Sequence, residues 1–382
     1  MKNIFLTMMA AALLVVGLTA CGGKGGANAS DASDDSFDAK AIPLTVEAIE
    51  ECDVVFSNRA EGPVTYQVNG SDKQTVAAGS ETTIHLGASD KVAFWGDNPT
   101  YYPTGHLYSG KYSNIRCTKN YYAYGNVMSL INSTGFATLT NLDSVNGKYA
   151  FGNLFAEIEI YCNNVYCSGH LRNHETKKLV LPATTLSEGC YAGMFHGCVE
   201  LKILPELPAT TLAPRCYSGM FEECWYFDPP ALPATTLAEG CYSNMFARCY
   251  LTTAPALPAT TLAPRCYAKM FYKCSNLSTA PALPATTLAE GCYSGMFIEC
   301  ENLKTAPDLP APKLVSRCYE SMFSECGKLN YIKCLATDFG VSMNWLDYGG
   351  TFFGVAASGT FVKDPSVSFP FAPNGWTVKD AE

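Results

Sequence analysis

Thiols and aromatic rings carry most of the chemistry this 382-residue sequence offers. Twelve of its eighteen cysteines fall in six pairs eight residues apart, from Cys190/Cys198 to Cys318/Cys326. In an exported chain such thiols would pair as disulfides. Each recurs at one fixed place in a repeat, however, so each forms a column, and columns of small apolar residues fill stacked cores. The pairs therefore read as unoxidised core ladders, with bridges inside each repeat as the alternative. Cys52, Cys117, Cys162, Cys167 and Cys334 lie outside the ladders, and Cys162 and Cys167 are close enough in sequence to bridge. His170 and His174 are four apart, a spacing that can hold a metal on a helix face, with Cys167 and Glu175 nearby. No second ligand motif accompanies them, so no metal is expected. There is no G-x-S-x-G, no P-loop, no dinucleotide glycine motif and no zincin motif. Five His leave little for a triad. No catalytic residue and no cofactor is expected, and the chain does not read as an enzyme. Neutral aromatics at variable positions are what a binding patch needs: Trp225, Tyr226, Phe227 and Tyr250 cluster on adjacent repeats, with Tyr272 one repeat further. Lateral packing against a neighbouring loop is the alternative for these rings.

The repeat that must position them is LPATTLAEGCYSGMF, Leu283 to Phe297. Close copies begin at Leu181, Leu207, Leu232 and Leu257, and a worn copy at Leu309, giving steps of 26, 25, 25, 26 and 26 residues. A period in this range implies stacked turns that bury their apolar faces against one another. In the turn Leu257 to Ala282, Pro264 suits the first position of a helix. Cys266, Met270 and Cys274 follow at i, i+4 and i+8, one face of a two-turn helix broadened by Tyr267 and Phe271. Thr286-Thr287-Leu288 reads as extended, and Pro281 and Pro284 keep any strand short. Residues ahead of each first Cys alternate in charge: Glu188, Arg215, Glu239, Arg265, Glu290, Arg317. Stacked turns would then set opposite charges beside each other. The repeats run over about 149–334 with an N-terminal cap, where Leu154-Phe155 echoes Met-Phe, and 335–382 read as a C-terminal cap with strands near Thr360–Val362 and Trp376–Val378.

Residues 43–148 have period two. Val64, Tyr66 and Val68 alternate with polar residues before a hairpin signal at Asn69-Gly70. Thr82–Leu86 and Lys91–Trp95 read as further strands, and a helix fits only near Val127 to Ile131. The pattern predicts a β-sandwich-like domain. It is rich in rings (Phe94, Trp95, Tyr101, Tyr102, Tyr108, Tyr112, Tyr121, Tyr122, Tyr124), which either stack on sugars or build the core.

Ahead of this domain, Met1-Lys2-Asn3 is a short basic segment, Ile4 to Gly17 is apolar, and Leu18-Thr19-Ala20 places small residues before Cys21. This resembles a bacterial lipoprotein signal spanning 1–20, which implies lipid attachment at Cys21. Residues 21–42 are Gly, Ser, Ala and Asp and read as a flexible tether. The absence of Asp directly after Cys21 fits sorting to the outer membrane, and the acidic Asp31, Asp34, Asp35 and Asp38, set behind Gly22–Gly26, resemble the cluster of lipoproteins that face the cell exterior. The net charge is −9 without any Lys/Arg run, so no nucleic-acid footprint exists.

The order MF-x-x-C-x-x-L…LP-x-T-x-L, clearest at Cys274-Ser275-Asn276-Leu277 and Leu283-Pro284, resembles BspA-like leucine-rich repeats. The chain departs from them by the added Cys-Tyr before Met-Phe. With the signal, the β-domain and a closing Gly-Trp-Thr-Val, the whole resembles surface lipoproteins of Gram-negative anaerobes. That resemblance implies an α/β leucine-rich-repeat solenoid, one short parallel strand plus one short helix per 25–26-residue turn. It implies adhesion to a host or bacterial surface protein or glycan, and no shared catalytic residues. A glycan-binding role for the aromatic β-domain is the alternative.

Overall fold

Alternating burial builds the N-terminal part. The strands are β1 (Thr45–Ala48), β2 (Cys52–Ser57), β3 (Val64–Val68), β4 (Gln74–Val76), β5 (Glu81–Leu86), β6 (Lys91–Gly96), β7 (Asn114–Cys117) and β8 (Tyr121–Asn126). Cys52, Val54 and Phe56 on β2, and Val92 and Phe94 on β6, point inward, as a period of two requires. β2 and β6 belong to different sheets, one ordered β5–β2–β7 and the other containing β8–β1–β6–β3–β4. The Phe56 and Phe94 rings meet between them at 5.1 Å. Asn69 and Gly70 both have positive φ (49° and 74°), and Ser71 N–H donates to the Val68 carbonyl, a type I′ hairpin between β3 and β4. Val127–Leu130 forms one turn of 3-10 helix, capped by the Asn126 side chain accepting from Met128 N–H.

The computed structural model describes residues 38–98, 112–142, 148–157, 169–340, 350–368 and 372–382. All of them lie in one compact unit, Asp38–Glu382. The signal segment, residues 21–37 of the expected tether with Cys21, and Tyr101, Tyr102, Tyr108, Cys162 and Cys167 lie outside the described residues. The tether's last residues, 38–42, are described and pack on β8, where the Ile42 carbonyl accepts from Asn126 N–H.

The helix expected in each repeat is not there, which overturns the α/β leucine-rich-repeat class. Among the described residues the 3-10 turn is the only helical element. The segment from Pro264 to Cys274 is instead a chain of tight turns. Arg265, Lys269 and Lys273 have φ of 54°, 54° and 59°, a left-handed residue every fourth position. Every second N–H closes a turn to the third residue back: Ala268 to Arg265, Met270 to Tyr267, Tyr272 to Lys269, Cys274 to Phe271. The alternate N–H groups leave the coil and bond the next one. Tyr267 donates to Cys292, Lys269 to Ser294 and Phe271 to Met296, at 2.8–3.0 Å. An α-helix spends its N–H groups internally on i−4 carbonyls, so it could not make this second set. The turn coil satisfies its donors and stitches neighbouring repeats with the same backbone.

Residues four apart share a face of this coil, and the same columns fill the core. Tyr191, Tyr217, Tyr242, Tyr267, Tyr293 and Tyr319 stack with centroids 5.8–6.0 Å apart. Phe155, Phe195, Phe221, Phe246, Phe271, Phe297 and Phe323 stack at 5.6–5.9 Å. The fifteen described cysteines are buried free thiols. The second Cys of each repeat donates its S–H to the Phe carbonyl of the preceding coil: Cys224 to Phe195, Cys249 to Phe221, Cys274 to Phe246, Cys300 to Phe271, at 3.0–3.1 Å. The Leu-Pro-Ala-Thr-Thr-Leu side is extended, but Pro removes ladder donors. Only isolated parallel bridges join it, such as Thr211 to Thr236 and Thr261 to Thr287.

The alternating charges meet only in part. Arg215 lies 3.9 Å from Glu188 and 3.6 Å from Glu239, and Arg265 lies 4.0 Å from Glu290. Arg317 turns to Glu320 of its own coil. These pairs are exposed, so each contributes at most about 1 kcal/mol.

At the front, residues 148–157 form an additional coil, with Phe155 stacked on Phe195 and Phe151 on Tyr191. Its Leu154 carbonyl accepts from Ile115 N–H of β7. β9 (Leu171–Arg172) and β10 (Leu179–Val180) pair in parallel with β8. One hydrophobic cluster therefore runs from Leu44 to Trp376. At the far end, β11 (Tyr331–Cys334), β12 (Thr360–Lys363) and β13 (Thr377–Asp380) form a parallel sheet over the last coil, with Phe361 fully buried.

Candidate binding surface

In every coil the second Cys turns inward to reach a carbonyl, so the next residue is presented at the surface. This site is held by Val199, Trp225, Tyr250, Ser275, Glu301 and Gly327. Trp225 is 44% exposed, Tyr226 56% and Tyr250 38%, in a molecule whose other repeat rings are almost all buried. They form one group. Tyr226 and Tyr250 stack at 5.1 Å, Trp225 sits 6.3 Å from Tyr250, and Tyr250 N–H donates to the Trp225 carbonyl. The rings thus hold one another in place with their outer faces in solvent, which lowers the ordering cost of binding.

Phe227 and Tyr272 do not join this group. Phe227 packs against Phe221 and Phe246 at about 6 Å, and so is lateral packing over the core. Tyr272 follows Phe271 rather than a Cys and makes no ring contact with Trp225, Tyr226 or Tyr250. Three cations surround its face: Lys273 at 5.3 Å, Arg248 at 5.7 Å and Lys269 at 6.0 Å. Arg248 also pairs with Glu223 at 2.5 Å and Lys273 with Glu299 at 3.2 Å.

The rings of the N-terminal sheets are mostly spent on the core. Phe94, Tyr112, Tyr121 and Tyr124 are buried. Trp95 is half-buried with Lys73 Nζ 4.7 Å above its ring, and Tyr122 lies edge-on to His174. His170 and His174 do not converge. His170 Nδ1 contacts Glu157 Oε2 at 2.8 Å, while His174 Nδ1 accepts from Thr176 and Lys177 N–H. Among the described residues no group of three metal-ligating side chains occurs.

A second surface feature is polar, and no motif in the sequence marks it. A small cleft beside the coils is lined by Asn153, Gly193, His196, Ser218, Gly219, Glu222 and Asn244. His196 and Glu222 occupy the position after Phe195 and Phe221. Glu222 is 9% exposed, and its carboxyl makes no hydrogen bond or ion pair with the described residues. Burial, reinforced by the neighbouring Glu223, pushes it up to about 7, against the pull of Arg248 and Lys269. Burial also holds His196 below its usual value, hence neutral at pH 7, although Glu223 lies 3.5 Å from its Nε2.

No family model, no curated protein and no solved structure matches this chain. Among the described residues it is a turn-built repeat coil with two β-sheets at its front and a third at its far end, carrying an exposed aromatic group and a polar cleft on the repeats.

Proposed function

We propose that the chain is a non-enzymatic binding protein, held at the outer membrane by lipid on Cys21, that engages a surface protein or glycoprotein of a host or neighbouring cell. The observation that carries this reading is the mutually stacked, exposed group of Trp225, Tyr226 and Tyr250. Clustered exposed rings on a rigid scaffold are the usual anchors of an interface, and the buried ladders beneath fix their positions. The repeats supply the scaffold, and the short Gly/Ser/Asp stretch before Asp38 supplies reach from the membrane.

The test uses the full chain and immobilised mucin or extracellular-matrix glycoproteins. Trp225→Ala with Tyr250→Ala removes two exposed anchors and weakens binding at least tenfold, while the melting temperature changes little. Binding that survives the double substitution would falsify the assignment of this surface. On intact cells, labelled fatty acid enters the wild-type protein and not Cys21→Ser.

A further inference from the structure

The cleft draws on the same two coils that end in Trp225 and Tyr250, and it has a chemistry of its own. Its walls offer two amides (Asn153, Asn244), one hydroxyl (Ser218), a neutral imidazole (His196) and a buried carboxyl (Glu222). Gly193 and Gly219 also line it. A Cβ at Gly193 would lie 2.2 Å from Asn153 Oδ1, and one at Gly219 would lie 3.2 Å from Glu222 Oε2, so any larger side chain would close it. Both glycines have positive φ, 62° and 59°. Asn244, φ 56°, is their equivalent in the next coil, where an amide replaces the missing side chain.

Charge decides which ligand suits such a wall. Glu222 and Glu223 are balanced by Arg248 and Lys269, the cations that act on Glu222, and His196 is neutral. A full cation meets Arg248 and Lys269, and a full anion meets two carboxyls. A neutral group that both donates and accepts satisfies the wall: it donates to Glu222 and accepts from Ser218 or an amide. The space admits a group of about the size of water, hence a single hydroxyl rather than a ring. Glu222 and Trp225 are three residues apart in sequence, at most about 11 Å of backbone, which is within the length of a short oligosaccharide. Sugars combine what the two features require, namely a row of hydroxyls and an apolar face that stacks on aromatic rings.

We propose that the cleft of Asn153, His196, Ser218, Glu222 and Asn244 is a carbohydrate subsite that seats one hydroxyl of a neutral glycan. This rests on the reading of the Trp225–Tyr226–Tyr250 group as the binding face and names the ligand class. A neutral sugar ring lies against the aromatics while its neighbour's hydroxyl reaches Glu222. The ionised carboxylate is the better acceptor, so affinity rises as Glu222 loses its proton, with Glu223, Arg248, Lys269 and His196 as the charged or titratable groups around it.

The experiment is an array of neutral and acidic oligosaccharides probed with the detergent-solubilised full chain, followed by calorimetric titration of the best neutral binder at pH 5.5 and 8.5. Wild type binds neutral glycans, and more tightly at pH 8.5. Glu222→Gln lowers affinity at pH 8.5 at least fivefold and flattens the pH dependence. Asn244→Gly, which suits the left-handed backbone and matches the glycines of its column, lowers affinity at both pH values. Cooperative melting transitions, no lower than that of wild type, show that both variants are folded. An array that retains no neutral glycan, or glycan binding indifferent to both substitutions, overturns the proposal. If glycoprotein binding is lost in the Trp225/Tyr250 variant yet survives enzymatic removal of the glycans, the binding face stands and the sugar subsite falls.

Discussion

Glu222 gives the residue scale its clearest consequence. Folding moves its carboxyl from an ordinary 4.5 up to about 7. Between these values the folded chain holds a proton that the unfolded chain has released. Stability from this group is therefore fully present below pH 4.5 and is lost as pH rises through 7. The displacement corresponds to about 3 kcal/mol at most. His196, held neutral by burial, acts in the opposite sense below its usual value. Glu222→Gln removes only the first effect. The variant should gain stability over wild type as pH rises from 5 to 8, read by urea denaturation at each pH. Parallel profiles for the two proteins would show that Glu222 titrates normally.

At the scale of the element, the two cysteine columns make different demands on the coil. Cys274 gives its S–H to the Phe246 carbonyl at 3.1 Å, whereas Cys266 is equally buried and reaches no acceptor among the described residues. Serine is a stronger donor and must be satisfied. Cys274→Ser finds the Phe246 carbonyl and is tolerated, while Cys266→Ser buries an unpaired hydroxyl and costs about 1–3 kcal/mol more. Equal melting temperatures for the two variants would contradict this arrangement. The columns themselves were legible in the sequence, as were the 25–26-residue step, the strands at Val64–Val68 and Lys91–Trp95, and the closing strands near Thr360 and Thr377. The turn coil was not. Cys266, Met270 and Cys274 fit a helix as well as a four-residue coil over so short a span. On a helix the two cysteines would already stand about 80° apart, and in the coil they align. The signal that separates the two lay in the first full repeat, where Gly189, Gly193 and Gly197 fall four apart. Three glycines in nine residues weaken a helix but suit left-handed positions. Later repeats hide it by placing Arg, Lys, Asn, Glu or Ser there. At the surface, Trp225, Tyr226 and Tyr250 were legible as residues that differ between otherwise equal turns. Phe227 and Tyr272 were not distinguishable from them, because their facing depends on the coil. The cleft was hidden for the same reason: nothing in the order Phe-His or Phe-Glu tells that the second residue borders a groove.

For the whole molecule, the sequence divides at about residue 148 into a β-domain and repeats, while the packing runs through that boundary. β8 pairs on one side with β1 and on the other with β9 and β10, whose residues follow position 170. Ile115 of β7 bonds the Leu154 carbonyl of the first coil, and Phe155 of that coil stacks on Phe195. Lys177 reaches back to Glu47 at 2.7 Å, where both are largely buried. Repeat arrays unfold as a unit when each interface outweighs the instability of a single repeat, and here every coil is tied to the next by five backbone bonds or so along its turn segment, as between Arg265–Lys273 and Glu290–Ile298. The sheets and the coils should therefore melt together. Scanning calorimetry of residues 38–382 should give one transition with a calorimetric enthalpy close to the van't Hoff value. Residues 38–148 alone, deprived of β9, β10 and the first coil, would expose Tyr121, Ile115 and Leu142 and should melt well below the intact chain or fail to fold. Two resolved transitions, one of them reproduced by the isolated fragment, would mean that the shared core couples the parts too weakly to matter.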